Sequence, residues 1–124
     1  MNRILQLLIF IFWGTFLYSQ NVVIDGVTFS ADGKTLIKYP TDKVDKEYVV
    51  PEGTEVIDVK AFNKADLLCH VILPSTLKEI RDNAFFYCLS LVSVTWSNFP
   101  LLISRDIFYE SPIRDFMYRM ELIV

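Results

Sequence analysis

Few side chains in this sequence are of the types that do chemistry. Among 124 residues there is one histidine, His70, and two cysteines, Cys69 and Cys88. Nucleophilic catalysis needs a nucleophile, a base and an orienting group within hydrogen-bond reach. Cys69 and His70 are neighbours, and neighbours on an extended segment point to opposite faces, so they are poorly placed as a Cys–His pair. Asp58, Asp66, Asp82 and Asp106 fall at predicted turns, where aspartate accepts local backbone hydrogen bonds instead of joining a glycosidase pair. Asp82-Asn83 ahead of Ala84 reads as the start of a helical turn. The Asp25-Gly26 and Asp32-Gly33 pairs lack the alternating acids and distal glutamate of a calcium loop. With no glycine-rich phosphate loop and no metal-spaced cluster, the sequence predicts no catalytic residue, no cofactor and no metal.

Composition narrows the class further. Two cysteines cannot build a disulfide-dense miniprotein or a four-cysteine zinc site. A net charge of −3 argues against nucleic acid as a partner, which would require a basic face. The hydrophobic fraction of 52% is inflated by the first twenty residues. There, Arg3 precedes a nearly unbroken apolar stretch, Ile4 to Leu17, and the polar residues Ser19-Gln20-Asn21 come next. This order is that of a secretory signal peptide. The stretch as a helix spans roughly 21 Å, short of the ~30 Å hydrocarbon core, so the mature chain is expected to hold no stable membrane span. The Ser-Gln ending resembles signal peptides of Bacteroidetes-type bacteria, with cleavage before Asn21. Removing residues 1–20 takes away Arg3 and no acid, moving the net charge from −3 to −4. The product is an exported chain, secreted or displayed at the cell surface.

Beyond the leader the sequence is periodic. Ala61-Phe62 recurs as Ala84-Phe85 and as Ile107-Phe108. Ile57, Ile80 and Ile103 return at the same interval, as do Tyr48, Val71 and Val94, and then Val50, Leu73 and Trp96. Pro51 is answered by Pro74, Leu68 by Leu91, and the small residue after each Phe reads Ala65, Cys88, Ser111. Within one unit, Tyr48-Val49-Val50 and Val71-Ile72-Leu73 are β segments halted by proline, which cannot donate to a ladder. Ala-Phe-x-x-small suits a helical turn whose Phe points inward. One unit cannot bury its own apolar face, so the units must stack. The predicted fold is a repeat solenoid of short β segments and short helical turns, leucine-rich-repeat-like, over residues 48–124. Residues 21–47 supply a capping hairpin, with Asp32-Gly33 as its turn, and a charged loop.

These residues resemble the BspA-type leucine-rich repeat family of bacterial surfaces and some protist parasites, whose unit runs roughly L-x-x-V-x-I-P-x-x-V-x-x-I-x-x-x-A-F-x-x-C-x-x-L. The match is carried by Leu68 through Ile80, continuing over Ala84-Phe85-Phe86-Tyr87-Cys88 to Leu91, and upstream by Asp25-Gly26-Val27-Thr28-Phe29 through Tyr39-Pro40. Departures exist. Asp58, Arg81 and Ser104 stand where the family often has glycine, and the third unit has Ser97 in place of proline and Ile107 in place of alanine. The resemblance implies a protein-binding, adhesion-type surface role without catalysis.

Stacked units would align an outward column on the first strand, Val49, Ile72, Thr95 and Tyr118, flanked by His70 and Ser93. Aligned exposed apolar residues mark contact sites, so these six are the candidate protein-binding residues, for an extracellular protein partner. The plainer alternative is that β-branched residues favour strands. Cys69 and Cys88 occupy different columns, which disfavours a disulfide. Met117 continues the Val71 and Val94 column before the sequence stops on Leu122-Ile123-Val124, so a second reading is a truncated fragment that self-associates through an open C-terminal end. A surface hydrolase is the third, and it lacks converging residues.

Overall fold

The computed structural model describes residues 20–113 except 97, 99 and 101. The expected leader, apart from Gln20, and the expected fourth unit with Met117 and Tyr118 lie outside the described residues. Among the described residues nine short strands occur in turn: β1 (Val22–Ile24), β2 (Val27–Phe29), β3 (Thr35–Lys38), β4 (Glu47–Val49), β5 (Val56–Ile57), β6 (His70–Leu73), β7 (Glu79–Ile80), β8 (Ser93–Trp96) and β9 (Leu102–Ile103). They form a six-stranded sheet in the order β1-β2-β3-β5-β7-β9 and a three-stranded sheet in the order β4-β6-β8.

The sequence period sets the register. Tyr48, Val71 and Val94 pair in succession across parallel β4, β6 and β8. Ile57, Ile80 and Ile103 do the same across β5, β7 and β9. Each unit therefore contributes one strand to each sheet and returns through a third wall of turns. Proline limits the strands: β6 stops at Leu73, directly before Pro74, and β4 two residues before Pro51.

That third wall differs from the expected helical turns, since residues 59–64 and 82–87 form turns and no helix is found there. Lys60, Lys64, Asn83, Tyr87 and Glu110 adopt positive φ between 53° and 57°. A left-handed residue interrupts a right-handed helix. It also lets alternate N–H groups point along the stack. Lys60, Phe62 and Lys64 donate to the carbonyls of Asp82, Ala84 and Phe86, and Phe85 and Tyr87 donate to Ile107 and Tyr109. Donors that a helix would use four residues back are thus committed to the next unit. Asn83, expected at a helix start, is itself one of the left-handed residues.

The core lies between the three walls. Phe62 and Phe85 stack with centroids 4.8 Å apart, and Phe85 and Phe108 at 5.4 Å. Such pairs contribute about 0.5–1.5 kcal/mol beyond their burial. The small residues Ala65, Cys88 and Ser111 are all buried and leave space for these rings.

The hairpin at Asp32-Gly33 forms, with Phe29 opposite Leu36, but it is half of a three-stranded meander. Asp25 and Gly26, both at positive φ, make a tight turn between β1 and β2. β3 then pairs in parallel with β5, Leu36 beside Ile57. Beyond it Tyr39 stacks on Phe62 at 5.2 Å and donates its N–H to Ala61, as Phe62 does to Ala84. The meander thus ends as a partial unit laid on the first full one. Lys43 fastens the following loop, bonding Asp25 at 2.9 Å and Asp45 at 2.6 Å.

Candidate functional site

Alternation along β4, β6 and β8 turns Tyr48, Val71 and Val94 inward, and so sends their neighbours out. Two outward rows result: Glu47, His70, Ser93 and Val49, Ile72, Thr95. Five of the six expected contact residues are therefore brought together on one face, while Tyr118 lies outside the described residues. Val49 is 56% exposed and Ile72 37%. Glu47 belongs to this face and is missed by the column reasoning, although it stands one period before His70.

His70 Nδ1 and Ser93 Oγ lie 2.7 Å apart. A serine–histidine pair is the raw material of a hydrolase. Here, however, both sit on the outer face of a sheet, and the Ser93 N–H donates to Cys69 O instead of facing an oxyanion position. The pair acts as a rung between adjacent strands. Beyond the strand ends, Glu52 accepts from the N–H and hydroxyl of Ser75 at 2.9 and 2.8 Å. Those donors hold its carboxyl below the usual range. Asn98 donates in turn to Ser75 O.

The six-stranded sheet presents a different outer surface. Arg81 bonds Asp58 at 3.1 Å and Glu79 at 3.3 Å, and Lys78 bonds Glu55 at 3.1 Å. Two of these pairs, Arg81–Asp58 and Lys78–Glu55, run between neighbouring units, and Arg81–Glu79 lies within one. On the three-stranded sheet, Glu47 is the single formal charge among the six outward positions. Apolar contact on that face meets little desolvation cost.

Both cysteines are free. Cys88 is fully buried, its Sγ 3.0 Å from Phe62 O, and burial pushes its thiol up to about 12. Among the described residues no cluster of three His, Cys, Asp or Glu is placed to hold a metal ion, and no helix is long and apolar enough to cross a membrane.

Parallel strands in period register, with stacked Phe and buried Leu columns, define a leucine-rich type of repeat protein. Residues 44–122 match the family described as BspA type Leucine rich repeat region, in six copies, and the chain belongs to that family. The pneumococcal vaccine antigen PcpA is similar at 32% identity and a TM-score of 0.60, over 62% of this chain and 19% of that one. A leucine rich cell surface protein from Faecalibacterium prausnitzii is similar at 29% identity and a TM-score of 0.59, over 67% of this chain and 22% of that one. The chain thus matches only about a fifth of the length of either structure. No curated protein matches it.

Proposed function

We infer that this chain is an exported, surface-displayed repeat protein that binds an extracellular protein, in the manner of an adhesin, through the outward face of β4, β6 and β8. The observation that carries this reading is the alignment of Val49, Ile72 and Thr95, with His70 and Ser93 beside them, on a nearly uncharged exposed sheet. Membership of a bacterial surface-repeat family supports the location, and one similar structure is described as a cell surface protein. No catalytic step is assigned to the chain.

The test compares the chain with two variants, Ile72→Asp on this face and Leu102→Asp on the outer side of the six-stranded sheet. Each is immobilised and exposed to serum and to extracellular-matrix extract. The expected result is a captured protein that Ile72→Asp loses and Leu102→Asp keeps. Equal capture by all three would remove this face from the binding function.

A further inference from the structure

One row of inward side chains crosses the whole six-stranded sheet: Val22, Phe29, Leu36, Ile57, Ile80, Ile103. From Phe29 through Ile80 every member is at most 2% exposed. At the first rung the row is wet. Val22 is 41% exposed, and Ile24, the register partner of fully buried Val27, is 53% exposed. These two point to the core side of the sheet, yet the meander carries them past the end of the stacked units. β1 is also the edge strand, and Val22-Val23-Ile24 carries neither the charge nor the proline that usually blunts such an edge. Among the described residues it is a short, β-branched, uncharged strand with one side unpaired.

We propose that β1 is a self-association edge, pairing antiparallel with β1 of a second copy about a two-fold axis through Val23. That register sets Val22 beside Ile24 of the second copy, so each inward row gains the rung it lacks. Charge does not oppose this register: the three facing residues are uncharged, and Asp25, in the turn just beyond them, has its carboxylate held by Lys43 at 2.9 Å. A closed two-fold contact of this kind is self-limiting. Three residues per copy bury well under the ~1,200 Å² of stable interfaces, so the dimer is weak and concentration-dependent. This edge is distinct from the outward face of β4, β6 and β8, and from the C-terminal end.

The two-fold axis makes the test specific, because directly opposed residues across antiparallel strands have Cβ atoms about 4.5–5.5 Å apart. Val23→Cys is made in the full chain carrying Cys69→Ser, with Val44→Cys on the neighbouring loop, where Val44 is 74% exposed against 64% for Val23, as the control. Under mild oxidation Val23→Cys should give a disulfide-linked dimer several-fold faster than Val44→Cys. Sedimentation of the unmodified chain should show a concentration-dependent dimer that Val23→Pro removes. Equal crosslinking of the two cysteine variants, or a dimer indifferent to Val23→Pro, would overturn the proposal. So would amide protection of β1 that does not change with concentration, since the chain itself would then be covering the strand.

Discussion

Cys88 shows how a repeat constrains single residues. Its column holds Ala65 before it and Ser111 after it, and only a small side chain leaves room for the stacked rings of Phe62 and Phe85. Burial keeps the thiol neutral, with its ionisation displaced to about 12. A thiolate is the reactive species, so Cys88 should resist alkylation in the folded chain at pH 8 while Cys69, partly exposed, reacts. Mass spectrometry of iodoacetamide-treated chain would read this, and both should react in urea. The pH dependence has a definite sign. The unfolded thiol ionises at its ordinary value and the folded one does not, so this site's stabilisation falls as pH rises from there toward 12. The partnership of His70 with Ser93 also belongs to this scale. The sequence places both in one surface column, but only coordinates reveal the 2.7 Å contact.

At the level of elements, the meander is the part whose turn chemistry is most exposed to test. Gly33 has φ near 72°, and a Cβ added there meets nothing within 4 Å. Gly33→Ala therefore isolates the conformational cost, about 1–2 kcal/mol, and urea denaturation should show a loss of that size. The β segments and the Asp32-Gly33 turn were legible because proline, β-branched residues and Asp-Gly act locally. The turn wall was not. Ala-Phe-x-x-small has helical spacing, yet Phe62 and Phe85 donate to the next unit, and no local pattern reports a bond made to a residue one period away. β1 escaped as a separate strand because Asp25-Gly26 reads equally as an irregular leader to the hairpin.

Across the whole molecule, contacts run mainly between neighbouring units, so stability should be graded along the stack. Phe85 touches rings on both sides, whereas Tyr39 sits at the end of the aromatic column. Phe85→Ala should cost about 3–5 kcal/mol and lower amide protection throughout. Tyr39→Ala should expose the β2 and β3 amides while leaving those around Ile80 protected. Hydrogen exchange of the two variants checks this, and uniform loss in both would show a single cooperative block instead of a graded stack. Tyr39 was itself recoverable from the sequence by stepping one period back from Phe62. It was hidden because its neighbours, Lys38 and Pro40, do not repeat the Ala-Phe pattern.

The period alone determined which residues are equivalent, and equivalence dictated both parallel ladders and the column of rings, because identical side chains can share a continuous interior only when their units lie side by side. It likewise put Val49, Ile72 and Thr95 on a common face. Where each N–H finds its acceptor, which face carries paired charge, and where the inward row runs out of cover were decided in three dimensions. These depend on distances between units and on the end of the stack, and a one-dimensional repeat encodes neither.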